Sequence, residues 1–188
     1  GAGHFPQGDN PAAGHVAASK KIKKQRAKTH GSQPFTDDQL ARIFDPVNYA
    51  KGISGEASRW LPVILLYTGA RSNEVARLEL EDVEDVDGLP VLNFCWVGDD
   101  KSLKTGPSDR QTPVHPDLVA LGLLDRVARL RAAGETKLFP ELTFDAKNGP
   151  AGRTQHAFSR YLAALGVKAR GAGRLGHHSF RDTIIMKM

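Results

Sequence analysis

The feature that most constrains the fold of this chain is an apolar helical segment that ends at a glycine. Residues 56–67 are apolar enough for a helix at the centre of a fold, and their longest apolar run, 61–67, is far too short to span a bilayer. Gly69 follows, and glycine suits the left-handed residue that ends a helix. A short helix through Asn73 and Leu78 is predicted directly afterwards. The chain is therefore expected to contain a buried helix, a break, and a second helix that starts at the break.

Further helical patterns surround this segment. A capping box at 36–39 opens a helix that runs through Phe44. Two later segments, 116–133 and 154–165, repeat apolar residues at helical spacing, and a helix start is visible at 178–188. Most of the chain is therefore predicted to be helical.

One region has the character of strands instead. Residues 91–97 are rich in β-branched and aromatic side chains and follow the turn signal Asp87-Gly88. A polar loop at 98–109 leads to an extended segment at 110–114. Together with the helices, this pattern predicts a mostly α fold with a small antiparallel β-sheet, which is an α+β class.

Charge is distributed unevenly along the 188 residues. The formal net charge is +5, yet residues 35–145 hold twelve basic and nineteen acidic side chains. Residues 1–34 hold six Lys or Arg and one Asp, and residues 146–188 hold eight Lys or Arg and one Asp. Because residues 1–34 also hold almost no large apolar side chains, we expect a flexible basic leader or linker there and a folded domain at 35–188. The basic run at 20–28 is either a solvated linker or an arm along a phosphate backbone.

Composition excludes several classes of protein. The lone cysteine, Cys95, rules out an intrachain disulfide framework and a zinc site built from several cysteines. No signal-peptide pattern opens the chain and no segment can span a membrane, so we expect a cytoplasmic protein without a membrane partner. We find no convincing set of metal ligands and no Walker A sequence, so no metal or other cofactor is expected.

The strongest local motif is Thr68-Gly69-Ala70-Arg71-Ser72-Asn73-Glu74. It places the guanidinium of Arg71 beside the free N–H groups of a helix N-terminus, an arrangement that suits an anionic oxygen. Glu74, three residues later, can hold either the arginine or the turn. The alternative is that Arg71 only caps the helix or pairs locally with Glu74.

Two weaker motifs carry further candidate residues. In His178-Ser179-Phe180-Arg181, residues three apart share a helical face, so His178 and Arg181 would point into one site. The alternatives are an ordinary histidine at a helix start and an arginine paired with Asp182. In the loop between the strands, Lys101 and Lys104 can each reach a leaving group, or can be solvated loop lysines.

In this order, the three motifs and the segment Arg110-Gln111-Thr112-Pro113 resemble the catalytic domain of the tyrosine recombinases (phage integrase family), which shares its fold with type IB topoisomerases. The resemblance covers about residues 35–183. The catalytic residues that it implies are Arg71, Lys104, His178 and Arg181, with Glu74 in support and Lys101 as the alternative hairpin lysine.

The resemblance implies site-specific DNA recombination, in which strands are cleaved and rejoined through a 3′-phosphotyrosyl intermediate without a metal or ATP. Arg71 and Arg181 would bind the non-bridging phosphate oxygens, Lys104 would protonate the leaving 5′-oxygen, and His178 would move or orient a proton. The implied partner is double-stranded DNA, on which family members assemble as tetramers. The implied setting is a bacterial or phage-encoded protein associated with the nucleoid.

The chain departs from the family pattern at the nucleophile. The family's tyrosine follows H-x-x-R, but here only seven residues follow Arg181, and Tyr49, Tyr67 and Tyr161 all precede it. Tyr49 is predicted to lie in a loop, and the other two at core positions of helices. We therefore expect this chain to be a C-terminally truncated catalytic domain, a monomer that binds DNA without cleaving it. The alternative is a non-catalytic helical domain that binds DNA or another protein.

Overall fold

The structure is a computed structural model that describes residues 31–94, 110–144, 149–171 and 173–187. The expected mostly α fold with a small antiparallel sheet is confirmed. The basic run at 20–28, the loop lysines Lys101 and Lys104, and residues 95–97 of the predicted strand lie outside the described residues. The helices are α1 (Asp37–Ile43), α2 (Pro46–Gly52), α3 (Glu56–Thr68), α4 (Ser72–Ala76), α5 (Pro116–Ala120), α6 (Leu123–Ala132), α7 (Gly152–Ala164) and α8 (His177–Lys187). The strands are β1 (Val83–Val86), β2 (Leu89–Phe94) and β3 (Arg110–Pro113).

Helix α3 lies at the centre of the fold, as its apolar sequence predicts. It packs against α4, α5, α7 and α8, and its residues Leu61, Ile64 and Leu65 are completely buried. Burial of one such side chain contributes about 1.5–3 kcal/mol relative to exposure. The helix ends at Thr68, and Gly69 adopts the left-handed conformation with a φ of 61°. The predicted break therefore lies at the end of a buried helix.

The sheet has the order β1-β2-β3, and both strand pairs are antiparallel. Asp87 and Gly88 form the turn between β1 and β2 with positive φ values of 53° and 82°, as the Asp-Gly signal predicts. The sequence pattern does not predict β1, because only Val83 of its four residues is buried and no alternation is visible. Phe94 of β2 pairs with Arg110 of β3, so Arg110 lies where the chain re-enters the sheet.

The expectation of one helix across 116–133 is wrong. Two helices, α5 and α6, are separated at Gly122, whose φ of 88° cannot belong to a right-handed helix. Leu118, Leu123 and Val127, which lie on both sides of the break, point into the core, whereas Leu121 beside the break is exposed. The run of apolar residues across the break therefore concealed the interruption.

The expectation that Tyr49 lies in a loop is also wrong. Tyr49 belongs to α2, which starts at Pro46 with Asp45 as its N-cap. The Asp45 carboxylate accepts a hydrogen bond from the backbone N–H of Asn48 at 2.9 Å. An acidic N-cap followed by proline starts a helix, because proline has no N–H that the helix would leave unpaired.

Residues 31–35, which we call the N-terminal strap, lie against α8 and the chain that leads into it. The side chain of Gln33 donates to the carbonyl oxygen of Arg170 at 2.8 Å and accepts from its N–H at 2.9 Å. The N–H of Phe35 donates to the hydroxyl of Thr183 in α8 at 2.8 Å. Gln33 therefore makes long-range contacts that its local sequence does not indicate.

Candidate active site

The break between α3 and α4 presents Arg71 to solvent. Arg71 has an extended backbone, α4 begins at the next residue, and 56% of the arginine side chain is exposed. Glu74 accepts one hydrogen bond from the backbone N–H of Arg71 at 2.9 Å and another from its guanidinium at 2.8 Å. The local pairing of Arg71 with Glu74 is therefore present, and it holds both the turn and the side chain.

The Glu74 carboxylate has a second arginine partner. Arg110, the first residue of β3, donates to its Oε2 at 2.8 Å, and the glutamate side chain is only 10% exposed. Burial opposes ionisation of Glu74, but the hydrogen bonds from Arg110 and Arg71 outweigh it and hold the pKa of Glu74 below its ordinary value. Glu74 is therefore an ionised carboxylate between two guanidiniums at neutral pH.

Helix α8 brings the H-x-x-R motif to the same break. The guanidinium of Arg181 donates to the carbonyl oxygen of Gly69 at 2.9 Å, although 112 residues separate the two in the sequence. Because Gly69 lies two residues before Arg71, the helix that carries Arg181 contacts the segment that leads into Arg71. The side chain of His178 is mostly exposed, and its Nε2 lies 4.0 Å from Oδ1 of Asp182.

An open cleft of about 650 Å³ lies between the start of α8 and the start of α4. His178 lines it from α8, Ser72 from α4 and Gln155 from α7. Ser72 is the residue that follows Arg71, so the cleft connects the candidate histidine with the segment of the candidate arginine. The structure thus brings Arg71, Glu74, His178 and Arg181 to neighbouring elements.

Sequence reasoning missed the contacts that hold α4 in place. The amide of Gln155 donates to the hydroxyl of Ser72 at 2.8 Å, and the Asn73 side chain accepts from the N–H of Ala151 at 3.1 Å. These contacts fix the first residues of α4 against α7, and no local pattern indicates them. Arg110 differs from these residues, because the sequence had indicated it as the first residue of the R-x-x-P segment.

All three tyrosines of the chain are described, and each donates its hydroxyl to a protein acceptor. Burial raises the pKa of Tyr49 and of Tyr161, and burial together with a carboxylate partner raises the pKa of Tyr67 to about 12. Each hydroxyl is therefore bonded within the fold and hard to ionise. Tyr49 donates to the carbonyl oxygen of Arg59 and Tyr161 to that of Ile43, each at 2.6 Å. Tyr67 donates to the Asp117 carboxylate at 2.7 Å.

The described ranges offer no group of three or more His, Cys, Asp or Glu side chains that could hold a metal ion. In the same ranges, no helix is both long and apolar enough to cross a membrane. Lys101 and Lys104 belong to the stretch between Phe94 and Arg110 that is not described, so their assignment as the hairpin lysine stays a prediction.

Replacement of Gly69 by alanine is expected to destabilise the break. Its φ of 61° disfavours any side chain, and an added β-carbon would lie 3.3 Å from Cδ1 of Ile184 in α8. The left-handed conformation alone costs a non-glycine residue about 1–2 kcal/mol. Gly134→Ala is the matched control, because its φ is 75° and nothing lies within 4 Å of the added carbon. Urea unfolding should show the larger loss for Gly69→Ala, and equal losses would show that contact with α8 contributes nothing.

No model of a known protein family matches this sequence, and no curated protein is significantly similar to it. The arrangement of its helices and sheet does have solved counterparts, and they define its class as a tyrosine-recombinase-like fold.

Two of these counterparts are complexes of the XerH site-specific recombinase. The pre-cleavage complex with the difH substrate superimposes with a TM-score of 0.52 at 17% identity, over 80% of this chain and 41% of the XerH chain. The post-cleavage complex with palindromic difH gives a TM-score of 0.52 at 15% identity, over 92% of this chain and 42% of the XerH chain. The chain therefore spans about two fifths of the XerH chains, and the similarity at this identity defines the fold alone.

Proposed function

We propose that this chain is the catalytic domain of a site-specific DNA recombinase that cleaves and rejoins strands through a 3′-phosphotyrosyl intermediate. The observation that carries the proposal is the hydrogen bond from Arg181 to the Gly69 carbonyl, which joins the H-x-x-R helix to the break that presents Arg71. The recombinase-like fold supports it. Residues 35–188 would form this domain, with double-stranded DNA as its partner. Assembly as a tetramer on DNA and a location at the nucleoid belong to the same proposal.

The chemistry of the proposed site suits a phosphodiester. During nucleophilic attack, negative charge is redistributed over the non-bridging oxygens, and two guanidiniums can bind them while remaining charged. His178, exposed beside the cleft, would move or orient a proton. Lys104 would protonate the departing 5′-oxygen. None of the three tyrosines described above is proposed as the nucleophile, because their hydroxyls are bonded elsewhere.

Binding of duplex DNA tests the first half of the proposal. The chain is expected to bind a labelled duplex with an affinity that falls steeply with salt. Arg71→Ala and Arg181→Ala each remove a charged donor worth about 1.5–3 kcal/mol, so the Kd measured by fluorescence anisotropy should rise roughly tenfold or more. Arg129→Ala on α6 removes the same charge from an exposed position and is the control. Absence of DNA binding, or equal affinity of all four proteins, would contradict the proposal.

Formation of covalent protein–DNA adducts tests the second half. In a full-length protein with its tyrosine, loss of Arg71 or of Arg181 should slow cleavage on the order of 10²–10³-fold, as expected when a preorganised donor to a transition state is removed. The chain of 188 residues alone should form no adduct. Unchanged cleavage in both arginine variants would rule out the assigned catalytic roles.

A further inference from the structure

Three charged side chains beside the break form a cluster that joins α4 to the sheet. In this Arg-Glu-Arg cluster, Oε1 of Glu74 accepts from the guanidinium of Arg71 at 2.8 Å. Its Oε2 accepts from the guanidinium of Arg110 at 2.8 Å and from the backbone N–H of Arg71 at 2.9 Å. Both carboxylate oxygens are therefore occupied, and the carboxylate cannot rotate without losing a charged hydrogen bond.

The cluster carries one more positive charge than negative charge. An isolated pair of Arg71 and Glu74 would be neutral, and its attraction for an anion would be weak. The second guanidinium, from Arg110, makes the sum positive while the carboxylate still orients Arg71. Because 56% of the Arg71 side chain is exposed, that positive charge faces the solvent from which an anion arrives.

Arg110 is itself held by the sheet. Its guanidinium carbon lies 4.5 Å from the ring centroid of Phe94, the residue with which it pairs across β2 and β3. Phe94 is buried, so the ring gives the guanidinium a fixed surface. A planar guanidinium can stack on a ring and donate to a carboxylate at the same time, whereas a lysine ammonium cannot do both with the same geometry. The chain of contacts thus runs from Phe94 to Arg110, Glu74 and Arg71.

We infer that Arg110 is a positioning residue for Arg71. Arg110 acts by fixing the Glu74 carboxylate, and it leaves the cluster with a net positive charge that faces a phosphodiester. The effect on DNA binding rests on the proposed function, whereas the positioning of Arg71 is a property of the free chain. One experiment tests the positioning, and a second tests the effect on DNA binding.

The first experiment measures the order of the Arg71 guanidinium by NMR in the free chain. Arg110→Lys keeps the charge but removes the planar contact with Glu74 and Phe94, so rotation of the Arg71 guanidinium should become faster by severalfold. Arg129→Lys, on the exposed face of α6, is the matched control and should change nothing. Unchanged Arg71 rotation in a folded Arg110→Lys variant would overturn the inference, whether or not the chain binds DNA.

The second experiment measures duplex affinity in a double-mutant cycle. Arg110→Lys is expected to weaken binding about threefold to tenfold in the wild-type background and less than about twofold in an Arg71→Ala background, because contacting residues are energetically coupled. Equal effects in the two backgrounds would mean that Arg110 acts without Arg71, and would overturn the inference. If the wild-type chain binds no DNA, the proposed function fails, and the NMR result still decides the role of Arg110.

Discussion

The free energy of unfolding of this chain is expected to fall by about 2 kcal/mol between pH 7 and pH 5 because of one buried histidine. His177, the first residue of α8, is 5% exposed, and its ring lies 5.0 Å from that of Phe158. Neither ring nitrogen has a hydrogen-bond partner among the described residues. Burial lowers the pKa of His177 from 6.5 to about 3 in the folded chain.

The direction of this effect follows from which state of the chain, folded or unfolded, binds the proton more readily. Below about pH 6.5 the unfolded chain takes up a proton at His177, whereas the folded chain does so only near pH 3, so acid favours unfolding throughout that window. Glu74, whose pKa is lowered from 4.5, adds to the loss only at more acidic pH, where the unfolded chain protonates that carboxylate. Burial raises the pKa of Asp82 from 3.8, so that carboxyl acts in the opposite direction, and the loss expected between pH 7 and pH 5 is assigned to His177.

Urea unfolding at pH 7, 6 and 5 checks this prediction. His177→Leu keeps an apolar side chain of similar size without a titrating group, so its stability should be nearly flat across the interval. His156→Leu, the same change at an exposed position of α7, should keep the pH dependence of the wild type. An unchanged slope in His177→Leu would show that other groups govern the acid sensitivity.

Arg126→Ala is expected to lower the free energy of unfolding by about 2–4 kcal/mol. The guanidinium of Arg126 is buried and donates to the Glu56 carboxylate at 2.5 Å and to the Leu138 carbonyl at 3.0 Å, and it lies 3.3 Å from Glu141. Breaking a buried ion pair costs about 3–5 kcal/mol. The expected loss is smaller because both carboxylates are partly exposed and regain water.

The position of this ion cluster explains its importance for the site. The Glu141 carboxylate also accepts from the N–H of Ala57 at 2.8 Å, in the first turn of α3. Arg126 therefore stabilises the start of the helix whose other end forms the break at Gly69.

Equilibrium unfolding in urea compares Arg126→Ala with Arg129→Ala, which removes the same side chain from the exposed face of α6 and should change stability by less than about 0.5 kcal/mol. Arg126→Met retains the packing and should lie between Arg126→Ala and the wild type. Similar stability of Arg126→Ala and Arg129→Ala would contradict the prediction.

Local signals predicted the elements on which the site is built. The capping box at Thr36 is present with both of its hydrogen bonds, and the Asp87-Gly88 turn joins two strands. The same kind of signal predicted that Glu74 would hold either Arg71 or the turn, because a carboxylate three residues into a helix can reach back to the residue before it, and both contacts are present. Each of these arrangements depends on contacts within about four residues.

Other parts of the fold could not be predicted in this way. The break at Gly122 lies inside a run of apolar residues, and β1 has a single buried residue, so neither is visible as a change of pattern in the sequence. The N-terminal strap is held by Gln33, whose partner Arg170 is 137 residues away. Contacts of this kind depend on how α7 and α8 pack, and packing is a property of the whole chain.

By itself, the sequence determined a buried helix that ends at a left-handed glycine, an exposed arginine after it, and a second arginine on a later helix. Only the tertiary structure decided that Arg181 reaches the carbonyl oxygen of Gly69, and that Arg110 from the sheet shares the Glu74 carboxylate with Arg71. The physical reason is the distance along the sequence between the groups that contact each other. Helix ends and turns are decided by backbone hydrogen bonds between near neighbours, whereas the charged contacts of the site form only when α8 and β3 have packed against the break.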